Sequence, residues 1–155
     1  AARANAEAIA LTLSEVGITV DCLPLLDVRV PETHDAIGDR AFGNEPLRVA
    51  SLGRAVIDGL KAGGVVGIVK HMPGQGRALV DSHHELPTVS ASADDLAQDL
   101  APFAALKNAP MGMTAHVVFE AWDLVCITPS PPTPLPRWGR GGPLFSYQFS
   151  VFSCQ

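Results

Sequence analysis

The apolar positions of this chain alternate between helical and extended spacing. Ile9, Leu13 and Val16 recur at i, i+4 and i+7, the period of one helix face, and Gly17 follows where helix ends favour glycine. Residues 1–16 are therefore predicted as a helix. Ile18–Val20 and Leu23–Leu26 form a short apolar stretch, broken by Pro24 and ended by Asp27, and a polar loop runs from Arg29 to Asn44. A second helix is predicted from about Glu45 to Ala62, with Pro46 in its first turn and Gly63-Gly64 at its end. Val65–Val69 then reads as a strand buried on both faces. A loop follows over residues 70–91. Ser92-x-x-Asp95 signals the start of a third helix, which Pro102 should interrupt or kink near its end. Met111–Val118 is the last strand expected, with His116 near its C-terminal end.

The resulting order of helix, strand, loop, helix, strand, loop, helix, strand predicts an α/β fold with parallel strands joined by helical crossovers. In such folds, barrels and open sheets alike, chemistry gathers at the C-terminal ends of the strands. Asp27, Lys70-His71 and His116 all fall at or near such an end.

Composition narrows the possible functions. The 155 residues suffice for one domain with a core, and 47% apolar with 17% charged residues fits a soluble globular protein. A net charge of −5 without any Lys/Arg cluster argues against nucleic acid as a partner. No apolar run approaches the ~18–20 residues of a membrane span, and the first residues, with Arg3 and Glu7, do not form a signal sequence. Cys22, Cys126 and Cys154 lack metal-type spacing and are odd in number, so reduced thiols and a cytoplasmic setting are expected. The absence of an initiator Met is read as a chain that begins partway through a larger protein. After Asp123 the composition breaks: residues 124–155 hold no Asp, Glu or Lys and carry the run Pro129-Ser130-Pro131-Pro132-Thr133-Pro134-Leu135-Pro136. This Pro/Gly-rich tail is expected to be disordered or out-of-frame, unrelated to residues 1–123.

The densest chemistry lies in residues 70–87, where a Lys-His pair, a Pro73-Gly74-Gln75-Gly76 turn and the loop Asp81-Ser82-His83 follow one another. Asp81 and His83 stand at i and i+2, so in an extended loop their side chains point the same way. The carboxylate can then fix the tautomer of the imidazole, whose ordinary pKa of about 6.5 suits proton transfer. The turn could suggest a phosphate loop on an open sheet, but it matches neither G-x-G-x-x-G nor G-x-x-x-x-G-K-[ST]. His84 is read as a neighbour of the site; Glu85, His34 and Asp35 are read as solvated; Asp27 is read as orienting loops rather than reacting.

Five segments together carry a family resemblance: Asp21–Asp27, Ile37-Gly38-Asp39-Arg40-Ala41-Phe42-Gly43, Lys70-His71-Met72-Pro73-Gly74, Asp81-Ser82-His83 and Met113-Thr114-Ala115-His116. In this order and spacing the chain resembles the glycoside hydrolase family 3 β-N-acetylhexosaminidases of bacterial cell-wall recycling, over roughly residues 1–123. The resemblance implies a partial TIM (β/α)8 barrel of about three βα units, corresponding to strands 3–5 of the parent barrel. It implies a retaining glycosidase that removes terminal β-linked N-acetylglucosamine from peptidoglycan fragments (muropeptides), with no metal and no organic cofactor. It implies Arg40, Lys70 and His71 as sugar-binding residues and His83, partnered by Asp81, as general acid/base; His116 could line the pocket or serve the structure. Gln75 and Met72 stand where the family has His and Phe. The family's nucleophile, an Asp in a Ser-Asp-Asp-type motif after the sixth strand, has no counterpart in these residues. Negligible turnover by this chain alone is therefore expected, and open sheet edges are expected to invite self-association. The alternative is a non-catalytic sugar-binding or scaffold fragment.

Overall fold

The computed structural model describes residues 1–123; the tail expected at 124–155 lies outside the described residues. The element order is α1 (Ala2–Glu15), β1 (Val20–Asp21), a single 3-10 turn (Gly38–Arg40), α2 (Pro46–Ala62), β2 (Val66–Met72), β3 (Thr88–Val89), α3 (Ala93–Ala105), β4 (Met111–Thr114), β5 (Val118–Phe119) and α4 (Glu120–Asp123). Strands β1, β2 and β4 form a parallel sheet in that order, with α2 and α3 as the crossovers. Val20 pairs with Val66, and Ile68 with Met111. A small second sheet pairs β3 with β5, also parallel. This is the expected α/β alternation.

Local chemistry explains most boundaries. Pro46 opens α2, where its missing N–H costs nothing, and Gly64 leaves the helix with φ 84°, a backbone region that disfavours any Cβ. Ser92 caps α3 by accepting from the Asp95 amide at 3.1 Å, and its hydroxyl donates to the Asp95 carboxylate at 2.7 Å. Pro102 does not end α3, which runs on to Ala105 with Pro102 buried. The proline sits late enough that little of the helical ladder lies beyond it.

Two other expectations shift. The strand predicted at Val65–Val69 begins one residue later and extends through Lys70, His71 and Met72, so the Lys-His pair lies inside β2. Nor is β2 buried on both faces: Gly67 and Val69 are covered, whereas Val66 is exposed. Among the described residues the helices packed against β2 are α2 and α3. The strand predicted at Met111–Val118 divides at a bend around His116 into β4 and β5, which join different sheets.

The core lies between the sheet and α2 and α3, where Leu26, Val49, Ile57, Val69, Phe103 and Leu106 pack together. Burying a side chain such as Leu26 contributes about 2 kcal/mol. A second cluster, Ala6, Ala10, Val56, Leu60 and Val65, seats α1. Small residues make that seam tight. A Cβ built on Gly59 would lie 2.3 Å from the Arg3 carbonyl oxygen, and one on Gly63 would lie 2.5 Å from the Ala10 Cβ. Among the described residues no helix is long and apolar enough to cross a membrane.

Candidate active site

The site begins at the end of the first extended segment. Leu25 bridges Lys70 in parallel register, and the Leu26 amide donates to the Lys70 carbonyl at 2.7 Å. This pairing carries Asp27 beside His71 at a point where β2 departs from regular register with β4. Asp27 has no solvent exposure. Its Oδ2 lies 2.8 Å from His71 Nδ1, and its Oδ1 accepts from the backbone amides of His71 at 3.2 Å and Gln75 at 2.8 Å. A carboxylate that receives this bond accepts, so the His71 ring carries its proton on Nδ1 and Nε2 is left outside the pair.

The turn after β2 requires its glycines. Gly74 has φ 134°, and a Cβ there would meet the Asp99 Cβ at 2.9 Å; a Cβ on Gly76 would lie 1.8 Å from the Val28 carbonyl oxygen. The backbone can therefore press against α3 on one side and the Asp27 segment on the other. Gln75, buried in this turn, donates from Nε2 to Ser82 Oγ at 3.1 Å. That bond ties the loop carrying Asp81 and His83 to the end of β2.

In the loop, Asp81 Oδ1 accepts from the His83 backbone amide at 2.9 Å and lies 2.7 Å from His83 Nδ1. The i, i+2 pairing anticipated from sequence is thus made. The His83 amide bond, and then the ring bond, hold the Asp81 carboxyl below the usual carboxylate range. The His83 side chain is 83% exposed, with Asp81 largely covered behind it. Nε2 therefore faces solvent with its tautomer fixed, the arrangement a proton donor to an incoming ligand needs.

The remaining residues singled out from sequence are placed as follows. Lys70 is half-buried beside His71, and its ammonium makes no ion pair or hydrogen bond among the described residues. Arg40 is exposed at the end of the 3-10 turn; its guanidinium donates to the Ala36 carbonyl and lines a cavity of about 180 Å³ with Leu23, Leu25, Phe42 and residues of α1. Lys70, His71 and His83 are not among the walls of that cavity. His116 is exposed in the bend after β4. Among the described residues no group of three His, Cys, Asp or Glu could hold a metal ion, and Cys22 is an exposed free thiol.

Sequence reasoning understated two residues and missed a pair. Asp27 and Gln75 organise the strand end through three hydrogen bonds and one side-chain tie. Arg77 and Asp99 meet at 2.7 Å, a pair that the sequence spacing does not announce. An apolar run closing on an Asp was the available signal for Asp27; only the docking of α3 brings position 99 to position 77.

Comparison with known proteins agrees with this architecture. Residues 1–138 match the glycosyl hydrolase family 3 N-terminal domain. β-Hexosaminidase A of Pseudoalteromonas piscicida is 40% identical over 122 residues, covering 76% of this chain and 20% of that protein. The β-hexosaminidase of Chromobacterium violaceum is 41% identical over 118 residues, covering 74% of this chain and 33% of that protein. Among solved structures, NagZ from Neisseria gonorrhoeae in complex with N-trifluoroacetyl-D-glucosamine superposes with a TM-score of 0.73 at 38% identity, over 79% of this chain and 37% of that one. A family 3 β-N-acetylglucosaminidase from Paenibacillus sp. gives 0.74 at 37% identity, over 77% and 23%. The chain thus spans between a fifth and about two fifths of the length of these four proteins. On this match, and on the parallel α/β architecture beneath it, the chain belongs to glycosyl hydrolase family 3, among relatives that are β-hexosaminidases.

Proposed function

We propose that this chain supplies the acid/base and sugar-contacting wall of a β-N-acetylhexosaminidase site. His83 is the proton donor to the glycosidic oxygen and Asp81 the carboxylate that sets its tautomer. Lys70 and His71 bind the sugar from the end of β2; Arg40, whose guanidinium lies instead on the Ala36 carbonyl and in the cavity beside α1, would have to swing from there to join them. The substrate class is terminal β-linked N-acetylglucosamine on peptidoglycan fragments, and the reaction is retaining and cytoplasmic. The observation that carries this reading is the Asp81–His83 pair at 2.7 Å with the imidazole directed to solvent. A charged donor such as Lys70 contributes about 1.5–3 kcal/mol when it meets a sugar hydroxyl.

A retaining mechanism also needs a nucleophile on the other face of the sugar ring. These residues offer no Ser-Asp-Asp-type motif for it. The proposal is therefore that the chain by itself binds N-acetylglucosamine and turns over substrate negligibly. Residues 1–123 carry the whole reading, and none of it is assigned to residues 124–155. Two measurements test it together: titration with N-acetylglucosamine, and release of 4-nitrophenol from 4-nitrophenyl β-N-acetylglucosaminide. Binding that weakens in Lys70→Ala and His71→Ala, without turnover, supports the proposal. Hydrolysis abolished by His83→Ala would overturn the inactivity, and failure to bind the sugar would overturn the site.

The partner reading is association of two copies through the outer edges of β1 and β4. Its support is that among the described residues each of these strands is paired on one side only, and that all four residues of β4 are exposed there.

A further inference from the structure

Residues 79–86 carry their own hydrogen bonds. The Asp81 carbonyl accepts from the amides of His84 at 3.0 Å and Glu85 at 3.1 Å, and the Asp81 carboxylate holds the His83 amide and ring. Outward the loop is thinly attached. Leu79 and Leu86, near its two ends, are 62% and 63% exposed, and His83, His84 and Glu85 are exposed between them. The buried clusters include no residue of it. Among the described residues one hydrogen bond leaves it for the rest of the chain, from Gln75 Nε2 to Ser82 Oγ at 3.1 Å. A segment with so few buried contacts opens locally at little cost, and its internal bonds let it move as one piece.

Gln75 is held quite differently. It is buried, its amide donates to Asp27 Oδ1 at 2.8 Å, and the carbonyl of the next residue, Gly76, accepts from Thr33 Oγ1 at 2.7 Å. Neither bond involves the loop, so the carboxamide keeps its place whether or not Ser82 stands beside it. A hydrogen bond between two neutral groups shifts an equilibrium by about two- to tenfold. That is enough to favour one position of the loop and too little to forbid another. A charged partner at the same place would hold harder.

We propose that Gln75 is a positioning residue for the Asp81–His83 loop: its carboxamide is a fixed post on which the moving loop docks through Ser82. The purpose of docking rests on the function proposed above, because the docked fraction limits how often His83 can serve a sugar held at the end of β2. The docking itself is measurable without any sugar.

The test is ¹⁵N relaxation dispersion, which reads exchange on the μs–ms scale, on the intact chain and on Ser82→Ala, Gln75→Ala, the double variant and Ser82→Thr. In the intact chain the amides of Ser82 to Glu85 are expected to exchange between a docked and a released position, while residues 71–75 do not. Either alanine variant lowers the docked-to-released ratio about two- to tenfold. The double variant lowers it no further, because both changes remove the same bond, and Ser82→Thr, which keeps the hydroxyl, restores it. Ser82 is only half-buried, so Ser82→Ala reports even if Gln75→Ala does not fold. Four results would overturn the proposal: a loop with a single position in the intact chain, residues 71–75 exchanging along with it, an unchanged ratio in Ser82→Ala, or losses that add in the double variant. A chain whose loop docks in this way yet fails to bind N-acetylglucosamine keeps this inference and loses the sugar site. One that binds the sugar with the ratio unmoved by the substitutions loses this inference and keeps the site.

Discussion

His71 presents its Nδ1 to Asp27 Oδ2 at 2.8 Å, and the carboxylate that receives it is wholly shielded from solvent. The pair fixes which ring nitrogen of His71 carries the proton at the end of β2. Replacing Asp27 by Asn keeps an oxygen for the two amides but can set an NH₂ against the ring. The ring then carries its proton on Nε2, as when a triad Asp becomes Asn. Histidine ¹⁵N shifts are expected to show the tautomer of His71 reversed in Asp27→Asn, with His34 and His84 unchanged. An unaltered His71 signal would count against the assigned tautomer.

Asp27→Ala is expected to be far more damaging. It strands two backbone amides and one ring N–H in a buried place, at about 1–3 kcal/mol for each unsatisfied group. Urea denaturation should register a loss of at least about 3 kcal/mol, close to the total stability of a marginal chain.

His83→Ala should behave oppositely. The side chain is mostly exposed and packs against little, so the unfolding midpoint is expected to move by no more than about 0.5 kcal/mol. A large loss of stability in this variant would assign His83 to the fold rather than to chemistry.

Acid should separate the two buried or bonded carboxylates. The Asp81 pKa is lowered, first by the His83 amide bond, so the tie it makes is fully present above the ordinary carboxylate value of about 3.9 and is lost only as pH falls through the depressed one. Burial raises the Asp99 pKa, against the opposing pull of Arg77, with Asp95 and Asp27 adding repulsion. Asp99 binds its proton more tightly folded than unfolded, so its contribution to stability falls as pH rises from about 3.9. The stability of the unsubstituted chain minus that of Asp99→Asn should decline over that rise. A difference that grows with pH would contradict this sign.

Met111 and Met113 lie on the open edge strand β4. If two copies associate there, Met113→Lys should lower the association by placing a charge on the edge, and sedimentation at several concentrations will read it. A chain that is monomeric throughout removes the self-association proposal.

Much of this architecture was legible in the residues. Pro46 and Gly63-Gly64 bracket α2, and Ser92-x-x-Asp95 marks α3, because caps act within a few residues. Asp81 and His83 could be paired from sequence for the same reason. The extent of β2 could not, because Lys70 and His71 are drawn into the strand by Leu25 and Leu26, more than forty residues earlier. The division of β4 from β5 depends on β3 capturing Val118 and Phe119. The placing of Arg40 likewise depends on how α1 and α2 seat against its loop.

The single polarity of β1, β2 and β4 also limits what can complete this sheet. A parallel neighbour cannot be delivered by a hairpin and must arrive with a crossover, normally a helix. Beside β4 there is already a shallow apolar notch of about 20 Å³, walled by Phe103, Leu106, Ala109 and Met111. That connection is needed only within one chain: a strand from a separate polypeptide pairs along Met111–Thr114 without a crossover, and only a strand followed by a helix would also cover that notch.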